Sequence, residues 1–133
     1  MASKLWLIQG VFFQNQSWLG IAMKPIEGAV AVINRALCQF QFSGIIELAT
    51  EDNLGQGILN DVFGTADLTS VSISDTHLFF KKRYAQRDDA IDYQFSIQPD
   101  GTWAGEYRGE RVGSGKTRCV LTPVTKEFFT IPQ

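Results

Sequence analysis

The run Ala90-Ile91-Asp92-Tyr93-Gln94-Phe95-Ser96-Ile97-Gln98-Pro99-Asp100-Gly101-Thr102-Trp103-Ala104-Gly105-Glu106-Tyr107 decides the fold class of this 133-residue chain. Ile91, Tyr93, Phe95 and Ile97 alternate with Asp92, Gln94, Ser96 and Gln98, the period of a strand with one buried and one wet face. Pro99-Asp100-Gly101 then offers proline for the first central position of a type I turn and glycine for a left-handed bulge residue, which predicts a three-residue hairpin loop. Such a loop pairs Gln98 with Thr102, Ile97 with Trp103, Phe95 with Gly105 and Tyr93 with Tyr107. Trp103, Gly105 and Tyr107 then point inward, with Glu106 and Arg108 in solvent. A two-residue loop would reverse the second strand and bury both charges.

Working outward, strands are read over Leu5 to Phe13, Trp18 to Met23, Cys38 to Ala49, Thr65 to Ile73, His77 to Tyr84 and Lys116 to Val124. With the hairpin these make eight. The links Ser74 to Thr76, Ala85 to Asp89 and Gly109 to Gly115 are too short for crossover helices, so neighbouring strands should run antiparallel. Residues 25–36 fit either a short helix across one barrel end or an edge segment. Val30, Ile33, Leu37 and Phe40 keep helical spacing, while Cys38, Phe40 and Phe42 alternate. Eight antiparallel strands close most economically into an up-and-down barrel, which has no exposed edges and leaves space for one small ligand. The expected fold is all-β, a single barrel domain over residues 1–133.

The composition is 44% hydrophobic, 12% aromatic and 20% charged, which excludes a disordered tail and a coiled coil. Twelve Lys and Arg stand against fourteen Asp and Glu, so no overall positive field would draw in nucleic acid or an anionic membrane. Neither is expected as a partner. Cys38 and Cys119 are far apart in strand-like surroundings and read as reduced core thiols. The apolar run Leu5 to Ile8 is too short for a signal-peptide core or a spanning helix, so a cytoplasmic location is expected.

Several motifs dissolve on inspection. Gly113-Ser114-Gly115-Lys116-Thr117 resembles the end of a phosphate-binding loop, but the required first glycine falls on Glu110. The β-branched residues that follow cannot supply the helix such a loop needs, so a hairpin turn is expected. His77, the single histidine, lies by Asp75 and Thr76 at a turn and reads as an exposed strand-end residue, not a catalytic group or haem ligand. Asp88, Asp89 and Asp92 lie too close together for a calcium loop or a glycosidase pair. Lys81-Lys82-Arg83 and Arg87, interleaved with Phe79, Phe80 and Tyr84, carry the one nucleic-acid-like signal, and the nearby aspartates cancel much of its charge.

The run from Asp61 to Gly109 resembles the calycin group of lipocalins, avidins and fatty-acid-binding proteins. The likeness rests on Asp61-Val62-Phe63-Gly64, Phe80-Lys81-Lys82-Arg83-Tyr84, Tyr93, Asp100-Gly101-Thr102-Trp103 and Gly105. It implies a barrel that binds a ligand in its interior. The lipocalin Gly-x-Trp is replaced here by Gly10-Val11-Phe12, so no retinoid or lipid cargo is carried over.

Alternation through His77 to Tyr84 puts Leu78, Phe80, Lys82 and Tyr84 on the more apolar face, which turns Lys82 inward. A buried ammonium must snorkel to the mouth, pair with a carboxylate such as Asp67, or meet a bound anion. In the last case Lys82 anchors the ligand, Tyr84, Tyr93 and Tyr107 offer hydroxyls, and Phe80, Phe95 and Trp103 form apolar walls. Gly105 would leave inner room between Trp103 and Tyr107. The leading expectation is a non-catalytic barrel binding a small hydrophobic or amphipathic ligand, anionic if Lys82 is its anchor, with no cofactor or metal. The alternative is a filled barrel that docks a protein partner or forms a homodimer. A third is a cyclase or isomerase, for which the chain offers no nucleophile.

Overall fold

The computed structural model describes residues 3–13, 39–49 and 54–124. The hairpin that anchors the sequence reading forms in the register its loop dictates, with Ile97 opposite Trp103, Phe95 opposite Gly105 and Tyr93 opposite Tyr107. Gly101 takes φ +87°, Gln98 N–H donates to Thr102 O at 2.7 Å, and Asp100 accepts from both the N–H and the hydroxyl of Thr102.

Together with this hairpin, the described residues form eight strands: β1 (Ser3–Phe13), β2 (Gln39–Ala49), β3 (Leu54–Asp61), β4 (Gly64–Ile73), β5 (His77–Tyr84), β6 (Ile91–Ile97), β7 (Trp103–Gly109) and β8 (Gly113–Val124). Each pairs antiparallel with its sequence neighbour, and β8 closes on β1, so the sheet is an up-and-down barrel without edges.

The inventory of strands differs from the sequence reading at one place. Leu54–Asp61 is a strand that the alternation does not announce, because Gly55 and Gly57 leave the first half of its inner face without side chains. Those gaps are required by close packing: a Cβ on Gly57 would stand 2.4 Å from the Ile45 carbonyl oxygen. The segments Trp18 to Met23 and 25–36, and Cys38, lie outside the described residues. Glu110 to Val112 form a turn and Gly113 already begins β8, so the glycine-rich stretch is a hairpin end.

The inner face is filled over most of its length. Ile8, Phe42, Ile46, Leu59, Leu68, Val71, Leu78, Phe80, Phe95 and Cys119 are buried in one continuous core. Eight strands enclose a space just wide enough for such side chains. Cys119 is unpaired, and burial pushes its thiol up to about 12. Gly105 does not serve as inner room. A Cβ there would lie 1.7 Å from Gln94 O, so the residue permits β6 and β7 to approach where the sheet coils. Ser70, at the irregularity between Thr69 and Ser72, holds φ +52°.

These two backbone positions respond oppositely to substitution. Gly105→Ala should cost about 3 kcal/mol by urea denaturation, since backbone must move to admit the methyl. Ser70→Gly should raise stability by about 0.5 to 1 kcal/mol by relieving a left-handed conformation.

Candidate functional site: an aromatic mouth over a buried ion pair

One end of the barrel is formed by the last residues of β1, β3, β5 and β7 and the first of their partners. There the inner alternation brings aromatic side chains together: Phe12 from β1, Tyr84 from β5, Tyr93 from β6 and Tyr107 from β7. Phe63, on the two-residue turn between β3 and β4, packs at 5.0 Å from Phe40 and 6.4 Å from Phe12 between ring centroids. With Ile91 and Val112 these rings line a cavity of about 410 Å³, bordered by Thr65, Gln86 and Arg87. That volume falls within the range of small-molecule sites, roughly 300 to 1,000 Å³.

Lys82 projects inward from β5 and is only 1% exposed. Its Nζ donates to Asp61 Oδ2 at 2.6 Å and to the Tyr93 hydroxyl at 3.4 Å. It also sits 4.7, 4.6 and 5.4 Å from the ring centroids of Phe12, Tyr84 and Tyr93, three walls of the cavity. The ammonium is therefore enclosed by π faces and neutralised by one carboxylate. Burial lowers the Lys82 pKa, and the charge and hydrogen bond of Asp61 oppose that shift.

Asp61 is the residue that sequence reasoning missed. The partner named from sequence, Asp67, is exposed and lies opposite Arg83 on the outer face. Asp61 ends β3 with its side chain fully buried. Its Oδ1 accepts the Phe63 N–H at 2.8 Å, and its Oδ2 accepts Lys82 and the Tyr84 hydroxyl, each at 2.6 Å. Three donors satisfy the carboxylate. The inward period Gly57, Leu59, Asp61, ending at the tight turn before Gly64, was the available signal.

The expected site residues separate into three groups. Tyr84, Tyr93 and Tyr107 line the cavity, and Lys82 stands behind its rings. Phe80 and Phe95 pack around Tyr93 at 5.0 and 6.1 Å between ring centroids, supporting a wall. Trp103 is buried opposite Ile97 and Cys119, toward the other end of the barrel. Phe12, Phe63, Ile91 and Val112 also line the cavity, and none of them is among the site residues expected from the sequence. His77 is exposed and its Nδ1 lies 2.8 Å from the Thr76 hydroxyl. Of the basic run, Lys81 and Arg83 face outward while Lys82 faces inward.

Phenols and ion pairs supply the polar chemistry. The Tyr107 hydroxyl donates to Phe13 O at 2.6 Å. At the rim, Arg87 donates through two nitrogens to both oxygens of Asp89, at 3.0 and 3.2 Å. Burial raises the pKa of all three tyrosines of the chain. At Tyr84 the hydrogen bond given to Asp61 adds to the shift, and at Tyr93 the neighbouring Tyr107 and Asp61 do so.

Two outcomes follow for the isolated protein. Lys82→Met strands the buried Asp61 carboxylate and should cost about 3 to 5 kcal/mol in denaturant titration, with much of that recovered when Asp61→Asn is added. In a spectrophotometric titration of the folded protein, Tyr84 and Tyr93 should contribute no tyrosinate absorbance through the ordinary phenol value of 10.0, and Tyr107 should ionise above it. The raised native values mean that the phenols of the unfolded chain lose their protons first, so the tyrosines' contribution to stability is intact below about pH 10 and falls as pH rises above it. The closed eight-stranded barrel is compatible with the calycin-like resemblance. No protein-family model, curated protein or solved structure matches the chain, so the comparisons assign it to no family.

Proposed function

We propose that the protein is a non-catalytic barrel that holds a small apolar or amphipathic molecule at its aromatic mouth. The observation that carries this reading is the cavity of about 410 Å³ walled by Phe12, Phe63, Tyr84, Tyr93 and Tyr107. Apolar rings around a concave space gain from any ligand that displaces water from them. Lys82 takes a different part from that of an anion anchor. Its charge is matched by Asp61, so it holds the floor of the site, and the ligand meets the walls. Phe80 and Phe95 keep Tyr93 in place.

A second reading has its own observation. Ile45 and Ile58, 41% and 52% exposed, face each other across β2 and β3 on the outer surface, and Ile45 also pairs with Leu7 of β1. An apolar outer stripe of this kind suits self-association.

Native mass spectrometry of the protein as expressed separates the two. The first reading expects a retained small molecule, or uptake of an added apolar probe, that is lost in Val112→Trp, where the larger indole occupies the cavity. A protein that takes up no apolar probe and forms a dimer sensitive to Ile45→Glu would favour the second.

A further inference from the structure

Tyr93 is 2% exposed, lines the mouth cavity, and has its oxygen 3.4 Å from Lys82 Nζ. An ammonium only donates, so Tyr93 accepts from Lys82 and its own O–H proton remains to be placed. Among the described residues that proton meets no acceptor in hydrogen-bonding geometry. Asp61 is occupied by Lys82, Tyr84 and the Phe63 N–H, and Tyr107 gives its proton to Phe13 O. A buried hydroxyl proton without a partner is costly, and a ligand that accepts it recovers the cost. Accepting from Lys82 also polarises the phenol and makes it a better donor.

The charges near the cavity are already matched, Lys82 by Asp61 and Arg87 by Asp89. A carboxylate or ammonium group entering here would lose its hydration without an unpaired opposite charge to meet. The geometry points to an uncharged aryl ligand bearing one acceptor oxygen, such as a ketone, whose oxygen takes the Tyr93 hydrogen while its ring packs against the aromatic walls. This assignment rests on the ligand-binding reading above and narrows it to a chemical class.

The test uses calorimetric titration of the full chain and of Tyr93→Phe with three probes: 2-acetylnaphthalene, 2-ethylnaphthalene of nearly the same shape, and decanoate. The ketone should bind the parent roughly three- to tenfold more tightly than the hydrocarbon, the range one net hydrogen bond supplies. Decanoate should bind more weakly than the ketone. Tyr93→Phe should keep its affinity for the hydrocarbon and lose the preference for the ketone. On the parent protein alone, infrared spectroscopy should show the bound carbonyl stretch shifted to lower frequency than in hexane, a readout that does not depend on the variant folding. Equal binding of the two naphthalenes, an unshifted carbonyl, a preference that survives Tyr93→Phe, or tighter binding of decanoate would overturn the ligand class while leaving a ligand-binding barrel. Failure of all three probes to bind would overturn both.

Discussion

Burying the Lys82 ammonium at the end of a hydrophobic barrel is tolerable because the Asp61 carboxylate lies 2.6 Å away. Either charge alone in that position would be expelled or neutralised. The same carboxylate takes the Tyr84 hydroxyl and the N–H of Phe63. One acidic side chain thus fixes a strand end, a turn and two rings of the mouth. The three cation–π contacts then orient Phe12, Tyr84 and Tyr93 around a common centre. The ion pair need not add net stability to do this. It specifies an arrangement that leaves the rings facing open space.

The rest of the barrel makes that opening local. Below the mouth, large apolar side chains fill the inside and leave the cavity at one end. Glycines such as Gly57 and Gly105 let backbones pass closely where a side chain could not stand, and so permit the curvature that closes β8 onto β1. The interior is a packed core carrying a shallow site at its rim. Trp103 belongs to that core, whereas Tyr107 on the same strand belongs to the site.

Much of this architecture was legible wherever strict alternation and a specific turn coincide. Pro99-Asp100-Gly101 determined the register of β6 and β7, and the apolar period of β5 turned Lys82 inward. The glycines of β3 hid that strand, and with it the partner of Lys82. The pairing is also non-local in a way that periodicity does not encode, because β3 and β5 are separated in the sheet by β4. Ala66, buried on β4 opposite Leu59 on one side and Tyr84 on the other, is small enough for the two charged groups to meet over it. Which rings open onto a cavity and which are packed is likewise set by depth in the barrel. Phe12, Ile91 and Val112 therefore gave no distinguishing sign in the chain.

The most direct test of ligand capture at the aromatic mouth is an NMR measurement of magnetisation transfer between 2-acetylnaphthalene and the methyl groups of the protein. Contacts to Ile91 and Val112 at the mouth are predicted, with none to Ile45 and Ile58 on the outer face. Contacts confined to Ile45 and Ile58 would contradict the account and move binding to the outside of the barrel.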